Sequence, residues 1–340
     1  MFAFTNGFGE ISENVEVISD THRYMELEEN FKIKVAPLNF SGTTTYDFVY
    51  INSGKIIVIV FPKLYEINLL TKEKKTINPP EFWEEIYYQQ FKEPIYDQFN
   101  NTIHTNFTVS GRGVNRSSYY ILHLDNYTWE LIDDVGHNFD KHWYDSKNLI
   151  IYTVQYKINN FDNNSFDRDS DGFAIRIVII YDLSKRKIID TIELPQTSND
   201  IQCIYGNPVK ILSSINDKDL SSIYHYSIYS TTTKESIFFI DNEESIIDTK
   251  INFDLLSHYI PINENGCFIM VNRKRDYKSG IVIMDIHSNR FETIALDDFP
   301  YTIYNFKKIG KEKYAFMAQT RNSFGGPGPS FLCYWEYLIH

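Results

Sequence analysis

Apolar residues along the chain recur at every second position or in unbroken β-branched runs, and seldom at helical spacing. One unit repeats: an alternating strand, a short polar turn, then a second strand. It reads LYEINLLTKEKKTI at 64–77, YYILHLDNYTWELI at 119–132, IVIIYDLSKRKIIDTIEL at 177–194, YHYSIYSTTTKESIFFI at 224–240 and GIVIMDIHSNRFETIAL at 280–296. A second hairpin with a tight turn lies upstream of most copies, at 50–60, 144–154, 261–271 and 307–318. Two hairpins in series predict a four-stranded antiparallel meander with a period of about 50 residues.

The two ends complement one another. The last segment, SFLCYWEYLIH at 330–340, matches the first strand of an outer hairpin and then stops. Residues 31–35 form a lone strand with nothing before it to pair with. Pairing the two removes exposed edges that would invite aggregation. One stretch departs from strand character. At 79–94, PPEFWEEIYYQQFKEP has Pro at its start and acids in the first turn, which predicts a short helix.

These meanders resemble the blades of WD-repeat and kelch-like β-propellers. The copy at 119–132, with Tyr119, Tyr120 and Trp129, is the most kelch-like. The kelch double glycine and the Trp-Asp dipeptide are missing from the repeats, so the likeness is to an architecture. It implies an all-β chain, a single propeller over residues 31–340 with an N-terminal extension at 1–30. Six blades are expected, the last closed by the N-terminal strand, or seven if residues 1–30 contribute strands.

In such blades the turns within each hairpin lie on one face and the longer connections on the other. The segments 110–117, 159–172, 216–221, 272–279 and 321–330, with 79–94, read as long irregular loops. Loops on a rigid scaffold carry function, so this face is the expected binding surface. Arg112, Phe166, Arg273, Arg275, Tyr277 and Phe324 are its natural anchors, since aromatic and Arg side chains dominate hot spots.

Composition narrows the partner. The chain has 33 basic and 45 acidic side chains, a net charge of −12, which argues against sequence-independent nucleic-acid binding. A basic protein is the expected partner and a monomer the expected state. The start lacks a basic n-region and no run approaches the ~20 apolar residues of a membrane span, so a cytoplasmic protein off the membrane is expected. Cys203, Cys267 and Cys333 lie far apart inside apolar runs and read as free buried thiols.

Two motifs suggest cations. Asp167, Asp169 and Asp171 form a D-x-D-x-D-G run ending at Gly172, which can set alternating carboxylates around Ca²⁺. The position that would need a twelfth-place Glu holds Val178, so affinity should be weak, and otherwise no cofactor is expected. His137, Asp140 and His142 could hold Zn²⁺, but the five-residue separation of the histidines suits a strand poorly. The favoured function is therefore a non-enzymatic protein-binding propeller of inhibitor or immunity type. A metal-dependent hydrolase or lyase, using acids such as Asp97, Asp140 and Asp254 at inner strands, is the alternative. A lectin-like glycan binder is the second alternative, compatible with the many aromatics.

Overall fold

The structure, a computed structural model, describes residues 32–37, 45–51, 54–60, 63–69, 71, 73–80, 88–111, 114–135, 139–160, 165–168, 174–195, 200–216, 224–239, 256–261, 267–273, 279–285, 290–294, 302–310, 313–321 and 327–336. Strand β1 is Lys32–Pro37. The first meander is β2 (Thr45–Tyr50), β3 (Lys55–Val60), β4 (Lys63–Asn68) and β5 (Lys74–Ile77). The second is β6 (Tyr88–Asp97), β7 (Thr102–Gly111), β8 (Val114–His123) and β9 (Thr128–Ile132). A 3-10 turn at Asp133–Val135 leads to β10 (Phe139–Asp145) and β11 (Ile150–Tyr156). A small hairpin, β12 (Ile158–Asn160) and β13 (Ser165–Phe166), precedes β14 (Arg176–Asp182) and β15 (Lys187–Glu193), which complete the third sheet.

The fourth sheet is β16 (Asp200–Tyr205), β17 (Lys210–Asn216), β18 (Tyr224–Ser230) and β19 (Ser236–Phe239). The fifth is β20 (Leu256–Pro261), β21 (Cys267–Arg273), β22 (Ser279–Asp285) and β23 (Arg290–Ile294). In the sixth, β24 (Thr302–Gly310), β25 (Lys313–Arg321) and β26 (Pro327–Glu336) are joined by β1, giving the order β1-β26-β25-β24. Lys32 pairs with Glu336 and Pro37 with Phe331, so the N-terminal strand covers the edge that β26 would otherwise expose.

The described residues thus form six four-stranded antiparallel sheets and one two-stranded hairpin. They divide into two compact units, one within Met1–Pro79 and Ser245–His340, the other within Pro80–Glu244. In each unit it is the first strands of neighbouring sheets that meet: β2 and β20 each touch β24, and β6 and β16 each touch β10.

Burial explains the hydrophobic pattern. Five of the six residues of β3 are buried, because an inner strand is covered on both faces and must be apolar throughout. In β15 only Ile192 is buried, and Lys187, Asp190 and Glu193 line an outer edge. Neighbouring sheets are joined by apolar layers. Phe48, Ile56, Val58, Ala315, Met317 and Leu332 join the first and sixth sheets. Tyr119, Ile121, Tyr144, Ile151 and Tyr181 join the second and third. Val154, Val178, Ile201, Ile211 and Tyr229 join the third and fourth.

Three expectations are corrected. The stretch 79–94 is not a helix where it is described: its second half belongs to β6, and residues 81–87 lie outside the described residues. Residues 110–117 are not an irregular loop, because β7 and β8 stay paired out to Gly111 and Val114. Most of the Gly-Pro run at 325–329 is strand, since Pro327 already pairs with Arg321. Cys203 and Cys333 are free thiols. Burial pushes both thiols up, in Cys203 with an opposing pull from Lys141. No described helix is long and apolar enough to cross a membrane.

Candidate functional site

The connection between β11 and β14, where it is described, is held by backbone hydrogen bonds. The N–H of Asp167 donates to the Lys157 carbonyl, that of Ile175 to the Asp167 carbonyl, and that of Lys157 to the Ile175 carbonyl, each at 2.8 Å. An Arg168–Ala174 bridge continues the pairing outward. Lys157 fastens this base: its ammonium lies 3.1 Å from Glu193 and 3.8 Å from Asp167. The Glu193 hydrogen bond, then its charge, raises the Lys157 pKa.

On this base stands an aromatic and cationic stack. The guanidinium of Arg176 sits 4.7 Å over the Tyr156 ring and donates to its hydroxyl at 2.8 Å. The ring of Phe166 tilts against Tyr156 at 4.8 Å, yet Phe166 remains 36% exposed. A phenyl ring held in place and still open to solvent can enter a partner's pocket at little ordering cost.

The other expected anchors separate. Arg112, Arg275, Tyr277 and Phe324 lie outside the described residues. Arg273 ends β21 opposite Ser279, so its backbone belongs to the sheet and not to a loop. Of the calcium triad, Asp169 and Asp171 lie outside the described residues, and the Asp167 carboxylate faces Lys157. His137 and Asp254 are likewise undescribed. His142 is buried in β10 with its ring edge-on to Tyr119 at 5.3 Å. Among the described residues no group of three metal-ligating side chains converges.

Asp97 has a structural task that sequence reading missed. It is 1% exposed and closes the turn between β6 and β7. Its Oδ1 accepts from the Phe99 N–H at 2.9 Å, and its Oδ2 from the Asn100 amide at 2.6 Å and the Tyr144 hydroxyl at 3.0 Å. Burial raises its pKa, but the hydrogen bonds from Asn100, Phe99 and Tyr144 outweigh that and leave it lowered. Replacing Asp97 by Ala should cost about 2 to 4 kcal/mol in urea unfolding, and replacing it by Asn about half as much. Equal losses from both would show that the carboxylate charge is irrelevant. The imidazole of His104 stacks on Tyr144 at 3.6 Å and contacts the Tyr119 and Thr102 hydroxyls at 3.1 and 3.2 Å.

The first strand of every sheet carries a register shift, at Thr45/Asp47, Lys92/Ile95, Phe139/Lys141, Ile201/Cys203, Ser257/Ile260 and Tyr304/Lys307. Bulges re-aim side chains. Here they accompany ion pairs between adjacent first strands, Lys307 with Asp47 at 3.0 Å in one unit and Lys141 with Glu93 in the other. Glu93 and Asn305, both at bulges, have φ of 48° and 47°.

Solved structures match this arrangement. The propeller domain of the trilobed protease of Pyrococcus furiosus, described as having an open velcro topology, aligns with a TM-score of 0.51 at 10% identity, over 87% of this chain and 93% of that one. A Dyadobacter fermentans protein of unknown function aligns with a TM-score of 0.51 at 9% identity, over 96% of this chain and all of the other. The fold is that of a β-propeller. The propeller also aligns with the acylaminoacyl peptidase of Pyrococcus horikoshii at 14% identity and a TM-score of 0.42, over 85% of its own length but 41% of the peptidase. That likeness is too slight to carry an argument. No family model and no curated protein matches the chain.

Proposed function

We propose that this propeller is a non-enzymatic protein-binding scaffold. The contact is the connection between β11 and β14. The observation that carries the reading is the Arg176–Tyr156–Phe166 stack, where an exposed phenyl ring stands on a base tied by three backbone hydrogen bonds. Aromatic and Arg side chains held on a rigid support are the usual centre of a hot spot. Asp167 and Glu193 beside it, with the net charge of −12, suit a basic partner and an inhibitor or immunity-type role.

Affinity capture from the native host tests this. The Phe166→Ala protein should retain less than about a tenth of the partner held by the wild-type chain. Retention by the wild type should fall between 50 mM and 500 mM salt, because exposed charges are screened over that range. Equal capture by Phe166→Ala would place the contact elsewhere.

A further inference from the structure

The turns at the opposite ends of these strands hold a second feature that the contact at Phe166 does not use. Four hairpins share one construction. The carbonyl of the last residue in the first turn, Gly54, Asn101, Leu149 or Val209, accepts the N–H of Leu69, Leu124, Leu183 or Thr231, at 2.7 to 3.1 Å. Two of the turns match in detail. In residues 97–101, Asp97 accepts from the N–H groups of Phe99 and Asn100 and from the Asn100 side chain, and Asn101 has φ 50°. In residues 145–149, Asp145 accepts from the N–H groups of Lys147 and Asn148 and from the Asn148 side chain, and Leu149 has φ 57°.

The same backbone device therefore presents Phe99 in one sheet and Lys147 in the next. The turn itself does not require an apolar side chain at that place. Yet Phe99 is 73% exposed, the most exposed of the large hydrophobic residues described. Its backbone is fixed from both sides, since Asp97 is also held by Tyr144 and Asn101 bonds Asp125 at 2.5 Å and the Tyr96 hydroxyl at 3.2 Å. A large apolar ring on an immobilised turn loses little backbone entropy on binding, while its exposure to water favours burial.

Charge indicates what would cover it. Asp125 adjoins the turn through Asn101. We propose that Phe99 is a second protein-docking point, which inserts into an apolar pocket rimmed by Lys or Arg on a partner protein. The acid at Asp125 meets that rim.

Photo-cross-linking on the full chain tests the proposal. With benzoylphenylalanine at position 99, irradiation in host extract should give an adduct to one protein. Mass spectrometry should place the linkage on an aliphatic or aromatic residue with Lys or Arg neighbours. The purified partner should then bind Phe99→Lys, which copies the turn at Lys147, at least about tenfold more weakly than wild type. Asp125→Asn should reduce the salt dependence of binding. The Phe99→Lys chain should keep its Tm within about 2 °C, because a surface change at this turn leaves its bonds in place. Phe166→Ala, measured in parallel, separates the two contacts: loss of binding only in that variant overturns the role of Phe99 and leaves the other contact standing. No adduct, a linkage in an acidic polar surface, or equal affinity for Phe99→Lys would each overturn the proposal.

Discussion

Removing residues 1–37 should lower the melting temperature by more than about 5 °C and add aggregated species in size-exclusion chromatography. The reason is the register of β1 on β26, which runs unbroken from Lys32–Glu336 to Pro37–Phe331. Without it the six residues of β26 from Phe331 to Glu336 become a free edge, carrying Phe331, Leu332 and Trp335. Leu332 is fully buried in the layer between the first and sixth sheets, so fraying of β26 also loosens that core. An unaltered melting temperature after this deletion would contradict the role of β1.

Acid should act through His104. Its imidazole is 1% exposed, and burial lowers its pKa to about 3, with His142 and His123 adding to the depression and Asp97 opposing it. In the unfolded chain the same group titrates near 6.5. Between those values the unfolded chain binds the extra proton and the folded chain does not. Stability from this group is therefore complete above about pH 6.5 and falls as the pH drops toward 3. At about 1.4 kcal/mol per pH unit, the loss between pH 6.5 and 4 is on the order of 3 kcal/mol. In urea unfolding across that range, His104→Gln should give a slope shallower by close to one proton. An unchanged slope would show that His104 is already protonated in the folded protein.

The sequence made the strands legible because their patterns have a single cause. Inner strands such as β3 are apolar on both faces, and outer strands such as β9 and β15 mix apolar and charged positions. The pairing of β1 with β26 was readable for a related reason, since each end held an incomplete half of one motif. The error at 79–94 came from taking Pro at its start and the acids that follow as a helix signature. The described part, residues 88–94, belongs to β6, where Glu93 takes φ 48° and the register shifts between Lys92 and Ile95 beside Pro94. At 110–117, Gly111 reads as a loop residue although it still pairs with Val114 at the end of a long hairpin.

The candidate site was legible in part. Phe166 stood out as an aromatic in a long connection, but its support by Tyr156 and Arg176 depends on the pairing of β11 with β14 and of β12 with β13, which no local pattern discloses. Phe99 was hidden because its neighbours Gln98, Asn100 and Asn101 resemble any polar turn. Only comparison with the matching turn at Lys147 shows that its ring is not required by the backbone.

Hydrogen exchange on the propeller with and without its captured partner tests the binding account most directly. The account predicts slowed exchange in residues 157–176, where Lys157, Asp167 and Ile175 exchange backbone hydrogen bonds. It also predicts that Phe166→Ala removes this protection. Protection confined to other segments, or turnover of a small substrate with added metal and no protein bound, would contradict it.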